Sequence, residues 1–276
     1  MKIAAVQMVS TSSVVRNLET ARRLVGRAAA DGATLVALPE YFCFMGKADR
    51  DKLKVAETPG EGPIQRTLAE SAREHGVWLI GGTLPLAVEP AARESAGAVD
   101  RVMNANLVYS PRGELAARYD KMHLFAYDNG RERYDESRTL HAGRTPVAFD
   151  AGDLRVGLSV CYDLRFPELY RALARPPCDL ISVPSAFTYT TGAAHWEVLL
   201  RARAIENQCY VVAAAQGGTH ENGRRTFGHS LVVDPWGEVV ACRSEEGEGV
   251  VIAGVDTERI AAVRRQLPAL EHRLDF

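Results

Sequence analysis

A thiol, a carboxylate and an ammonium each stand where a strand-like run of this chain ends, and those three groups together can cleave an acyl–nitrogen bond. Cys161 follows LRVGLSV and opens the octapeptide CYDLRFPE, where a helix-like segment begins. A helix there would aim backbone N–H groups and the positive end of its dipole at the sulfur, favouring the thiolate. A lone intracellular cysteine is more often a small buried apolar residue than a nucleophile. Its partners shift that balance. Glu40 ends the run TLVALPE and Lys121 ends LAARYDK. Ligand sites gather at strand ends in open α/β folds, so the three can converge although far apart in sequence. Glu40 would take the thiol proton and return it to a leaving amine. Lys121 and the backbone N–H of Tyr162 would stabilise the oxyanion of the tetrahedral intermediate.

Arg165, four residues after the thiol, has two readings. Its guanidinium could grip a substrate carboxylate bidentately, or pair with Asp163 or Glu168 to hold the turn; the second is slightly preferred. Asp163 could cap the same turn through its carboxylate. His195 and Glu197 form H-x-E, but Pro177 and Cys178 lack the second cysteine of a zinc-deaminase site,. They read as structural groups of a helix, and no metal is expected. GLSVC and GHSLV lack the last glycine of a serine elbow. GEGP and the pair Gly81–Gly82 match no phosphate loop, so no nucleotide cofactor is implied.

The three motifs LPE, YDKMHLF and CYDLRFPE resemble the Glu-Lys-Cys site of the nitrilase superfamily of carbon–nitrogen hydrolases. The similarity runs from KIAAVQM through PSAFTYTTGAAHWEVLLRARAIENQCYVVAAAQ to GHSLVVDPWGEVVA, nearly the whole chain. Within the superfamily it lies nearest the deaminated glutathione amidases of the Nit subgroup. The resemblance implies that Glu136, in YDESRTL, orients the lysine; Tyr162 and Arg165, from their places beside the thiol, are the candidate substrate-binding residues. It implies no metal or organic cofactor, and a homo-oligomer, at least a dimer; the segment QLPALEHRLDF could reach a partner subunit or pack on its own domain.

The cysteine is followed by Tyr-Asp where true nitrilases carry Trp-Glu, which points to an amide substrate. The implied reaction hydrolyses deaminated glutathione to 2-oxoglutarate and cysteinylglycine through a thioester. An ω-amidase acting on 2-oxoglutaramate is the alternative, and a catalytically silent binding protein on the same fold is the rival from another class.

The elements that must position these groups alternate. KIAAVQM, TLVALPE, VWLIGGTLPL, LRVGLSV, LISVPSA and YVVAAAQ read as strands. NLETARRLVGRAAA, PIQRTLAESAREH and AAHWEVLLRARAIENQ have helical apolar spacing between them. That order is α/β. SPRG and DPWG read as hairpin turns and VVIAGV as a final strand, which adds antiparallel pairs to a mixed sheet. Periodicity does not give the number of sheets; the resemblance implies a four-layer α-β-β-α sandwich, two sheets face to face with helices outside. Residues 1–276 are expected to form a single carbon–nitrogen hydrolase domain.

Composition fits that reading. With 276 residues, 46% of them hydrophobic, the chain can bury a large core,. A net charge of −2 and the absence of any dense basic cluster give no reason to expect nucleic acid,. No signal-peptide pattern or membrane-length apolar run is seen, so the expectation is a cytoplasmic protein with no membrane partner. Cys43, Cys161, Cys178, Cys209 and Cys242 form no CxxC pair and an odd set, as suits a reducing compartment without disulfides.

Overall fold

The computed structural model describes residues 1–88 and 101–274. The strands along the chain are β1 (Lys2–Gln7), β2 (Leu35–Ala37), β3 (Trp78–Ile80), β4 (Leu84–Ala87), β5 (Val102–Tyr109), β6 (Leu115–Asp120), β7 (Ala126–Asp128), β8 (Arg133–Asp135), β9 (Leu140–His141), β10 (Val147–Ala151), β11 (Leu154–Leu158), β12 (Leu180–Ser182), β13 (Tyr210–Ala213), β14 (Gly217–Thr219), β15 (Arg225–Phe227), β16 (Leu231–Val233), β17 (Val239–Cys242) and β18 (Gly249–Gly254). One sheet runs β18-β1-β2-β3-β5-β4, with β6 and β9 also paired to β5. The other runs β10-β11-β12-β13-β16-β17. In each, parallel pairs lie at the centre and antiparallel pairs flank them.

Alternation along the strands explains the layering. In β1, Ile3 and Ala5 join an apolar cluster with Val156, Leu158, Ile181 and Val211 of the second sheet. Ala4 and Val6 point the other way, into a cluster with Leu24 and Val25 of α1 (Val14–Ala30) and Leu68 of α2 (Pro63–His75). A sheet covered on both faces selects apolar residues at successive positions, so its strands read as unbroken apolar runs. The second sheet is covered by α3 (Pro167–Leu173) and α4 (Tyr189–Asn207), which contribute Leu169, Tyr170, Trp196 and Leu200. The result is the expected four-layer α-β-β-α sandwich. α5 (Thr257–Gln266) follows the last strand.

Both turns read from the sequence join antiparallel strands: SPRG connects β5 to β6 and DPWG connects β16 to β17. VVIAGV is β18, paired antiparallel to β1. Two details differ. No helix follows the thiol directly: a 3-10 turn spans Cys161–Arg165 and α3 starts at Pro167, whose fixed φ suits a first helical position,. VWLIGGTLPL, expected as one strand, divides into β3 and β4 at Gly81–Gly82. Gly82 has φ +57, and a Cβ there would lie 2.1 Å from the Pro39 carbonyl oxygen, so only glycine lets this turn pack against the segment that carries Glu40,.

Candidate active site

The thiol is built at a constrained turn. β11 ends at Leu158, and three residues later Cys161 takes φ +49, a left-handed conformation costing about 1–3 kcal/mol for a residue with a side chain,. Neighbouring groups hold it there. The Cys161 N–H donates to the Pro184 carbonyl at 2.9 Å. Fully buried Asp163 closes the turn: its Oδ2 accepts from the Val160 N–H at 2.8 Å and the Tyr119 hydroxyl at 2.7 Å. Its Oδ1 accepts from the His123 N–H at 3.0 Å and lies 2.7 Å from His123 Nδ1. Asp163 therefore caps the turn, as its position allowed.

The other two groups arrive from the first sheet. Glu40 lies three residues beyond β2, Lys121 directly follows β6, and both are buried. Lys121 Nζ donates to Glu40 Oε1 and to Glu136 Oε2, each at 2.8 Å. An ammonium has three protons, so one remains for an oxyanion. Glu40 is fixed further by Asn104 Nδ2 on Oε1 at 3.0 Å and the Ala186 N–H on Oε2 at 3.0 Å. Gln216 Nε2 donates to the Glu40 carbonyl oxygen at 3.0 Å. Glu136 starts a short 3-10 turn after β8 and also accepts from the Tyr41 hydroxyl at 2.7 Å and the Phe125 N–H at 2.8 Å.

The electrostatics follow from burial and these charges. Burial pushes the Cys161 thiol up, the Glu40 carboxylate and its hydrogen bond to the thiol push it further, and Lys121 opposes them without winning. The resting group is a neutral thiol handing its proton to a carboxylate. The expected help from a helix terminus is missing, because α3 begins only at Pro167, while Glu40 stands beside the thiol as the expected base. Burial alone would lower Lys121, but Glu136 and Glu40 outweigh it and hold the ammonium well above its ordinary range. Burial would raise Glu136, yet Lys121 and Lys52 keep its carboxyl below the usual value.

Around the thiol, a narrow cleft is lined by Glu40, Glu136, Tyr162, Arg165, Phe187 and Arg224, among others. It meets an outer cavity of about 400 Å³ that shares Phe125, Glu136 and Arg224 with it. The Tyr162 N–H belongs to the first turn after the thiol, where a helical ladder supplies no carbonyl. The carbon–nitrogen hydrolase family model matches residues 2–265. The chain belongs to that family. It is 42% identical to a deaminated glutathione amidase of Synechocystis sp. (strain PCC 6803 / GT-S) over 275 residues, covering 98% of this hydrolase and 97% of the relative. It is 41% identical to the human deaminated glutathione amidase, covering 98% and 81%. The crystal structure of the C. elegans NitFhit protein superposes with a TM-score of 0.87 at 39% identity, covering 99% of this hydrolase and 64% of that longer chain. The resemblance to the nitrilase superfamily, read from three motifs, is thereby borne out, and so is the fold it implied.

Arg165 departs from its preferred reading. The Asp163 carboxylate is already taken, and Arg165 instead reaches His195 Nδ1 at 3.2 Å, with its guanidinium carbon 5.9 Å from the Tyr162 ring centre and 5.2 Å from that of Phe187. Of the H-x-E pair, His195 thus faces Arg165, and Glu197 lies 3.5 Å from Arg201 one helical turn on. Among the described residues, no group of three His, Cys, Asp or Glu side chains could hold a metal ion. Sequence reasoning missed Asn104, Tyr41, Ala186, Gln216 and Arg224. Asn104 carried a faint signal, one of two amides, with Asn106, within the otherwise apolar strand VMNANLVY.

Proposed function

We propose that this hydrolase is an amidase that converts deaminated glutathione and water to 2-oxoglutarate and cysteinylglycine. Near-full-length identity to deaminated glutathione amidases carries the substrate, and the contact of Glu40 with both Cys161 and Lys121 supports the chemistry. Glu40 takes the thiol proton as sulfur attacks the amide carbon. The oxyanion is received by the free proton of Lys121 and by the Tyr162 N–H. Glu40 then protonates the departing nitrogen, leaving a thioester on Cys161. A water deprotonated by Glu40 attacks that thioester, and the returning proton restores the thiol as the acid departs. Glu136 keeps Lys121 charged and aimed. Tyr162 and Arg165, both in the cleft wall, would contact the acyl half of the substrate.

The protein is further proposed to be a single-domain cytoplasmic homo-oligomer, at least a dimer. Five free cysteines suit a reducing compartment, and no described helix is long and apolar enough to cross a membrane,. The exposed side chains Val198, Trp236 and Val240 support a covered surface,. The deciding experiment compares hydrolysis of deaminated glutathione, 2-oxoglutaramate, glutamine and a simple nitrile by the purified protein. Highest kcat/KM on deaminated glutathione is expected. Preference for 2-oxoglutaramate would make it an ω-amidase, and turnover of the nitrile alone would remove it from the amidases.

A further inference from the structure

We infer that Arg224, backed by Lys52, is the subsite that receives the carboxylate at the end of the leaving group, a reading that rests on the proposed cysteinylglycine product. Arg224 lines both the catalytic cleft and the outer cavity, so it stands at the passage between them. It is held in place by a hydrogen bond from Nη2 to the Ala186 carbonyl at 2.6 Å and by the Tyr134 ring, 5.0 Å from its guanidinium carbon. Its Nε is buried and has no hydrogen-bond partner among the described residues. A buried donor left in that state costs free energy that a ligand acceptor would recover.

Lys52 is the second half-buried cation of the outer cavity. Its Nζ contacts the Thr139 hydroxyl at 3.3 Å and lies 5.5 Å from the Tyr41 ring centre. Among the described residues neither Arg224 nor Lys52 forms an ion pair. Four acids also line the cavity: Glu136 pairs with Lys121 and, with Asp49, acts on Lys52 from a distance, Asp135 caps its own turn, and Glu132 meets the Tyr134 and Thr190 hydroxyls. Two half-buried cations, neither in a direct ion pair among the described residues, therefore face a cavity that opens beside the nucleophile.

The chemistry of the leaving group fits that space. With the scissile carbonyl at Cys161, cysteinylglycine extends two residues beyond the cleaved bond, roughly 7 Å when stretched, and ends in a carboxylate. Ammonia leaving from 2-oxoglutaramate has neither the length nor the charge. An arginine fork is suited to a carboxylate, and one such charged hydrogen-bonded contact corresponds to a factor of roughly 30 in binding.

The test uses the purified full-length protein with three substrates: deaminated glutathione, the same compound with its terminal carboxylate converted to the primary amide, and 2-oxoglutaramate. The parent should favour the acid over its terminal amide by roughly 30-fold in kcat/KM. Arg224→Gln should erase that preference by raising KM for the acid, with a loss on 2-oxoglutaramate at least about tenfold smaller. Arg224→Lys should regain part of it. Equal parent rates on acid and amide would overturn the subsite. So would equal losses on deaminated glutathione and 2-oxoglutaramate in Arg224→Gln, because Arg224 would then serve the shared acyl half. Should that variant not fold, the parent's acid-to-amide ratio still decides. A parent inactive on deaminated glutathione but active on 2-oxoglutaramate defeats the functional reading itself, and the subsite with it.

Discussion

The Lys121 ammonium lies 2.8 Å from Glu40 Oε1, and both residues are buried. Their ion pair joins the end of one strand to the loop after another and, with the second bond of Lys121 to Glu136, leaves a single ammonium proton for chemistry. Lys121→Met removes that proton and also strands two carboxylates, buried Glu40 and largely buried Glu136. Removing one partner of a buried pair costs about 3–5 kcal/mol of stability, and losing an oxyanion donor costs a further factor of about 100–1,000 in kcat. The expected variant is less stable by urea unfolding and at least about a hundredfold slower. Activity close to the parent's would place Lys121 outside the reaction.

Because burial and Glu40 hold the Cys161 thiol well above its ordinary range, the enzyme should carry no Cys161 thiolate at neutral pH. Thiolate absorbance measured against a Cys161→Ala control should show no step from this residue below about pH 9, the ordinary cysteine range being near 8.5. Cys161→Ser should lose at least roughly a thousandfold in turnover, since Glu40 must then deprotonate a much weaker acid. A thiolate step at neutral pH would remove the need for Glu40 as base in the first half-reaction.

Glu40 and Cys161 were legible in the sequence because each ends an apolar run, the mark that burial on both faces leaves residue by residue, whereas Lys121 ends a strand-like run whose first two residues are exposed. Glu136 was not: in YDESRTL it reads as any surface charge, and only likeness to a family picks it out. Asn104, Ala186 and Gln216 reach Glu40 from segments 64, 146 and 176 residues away, two of them through backbone atoms at one end of the bond, which side-chain identity cannot announce. Arg165 shows the converse failure. Nearness in sequence favoured Asp163, but Asp163 points into the turn toward Tyr119 and His123, leaving the guanidinium to His195 and two rings. The two-sheet architecture was equally invisible to periodicity, since Ile3 and Ala4 are both apolar although they face different layers.

Gly82→Ala tests the turn beneath the catalytic carboxylate. The added methyl would meet the Pro39 carbonyl oxygen at 2.1 Å in a backbone with φ +57, so the chain must move. Pro39 precedes Glu40, and the expected result is a fall in kcat of at least about tenfold, as a shift of about 1 Å in a reacting group can cost two orders of magnitude. Stability should fall by about 1–3 kcal/mol. Full activity in a folded variant would show that the two segments adjust independently.

His220 gives the pH dependence of stability. It is buried, with Nδ1 2.9 Å from the Ser10 carbonyl and Nε2 2.8 Å from the Thr226 hydroxyl, and its backbone closes the turn that carries Arg224. Burial, with the Arg224 charge adding to it and the Ser10 bond opposing, lowers its pKa from 6.5 to about 4. The folded state binds its proton less readily than the unfolded state. Stability from this residue is therefore fully present above about pH 6.5, is lost as pH falls through about 4, and changes no further below that,. The shift corresponds to roughly 3 kcal/mol. Urea unfolding at pH 7 and pH 4 should show His220→Gln losing less stability than the parent over that interval, by about that amount. Parallel losses in the two proteins would mean that the imidazole takes up its proton without disturbing the hairpin.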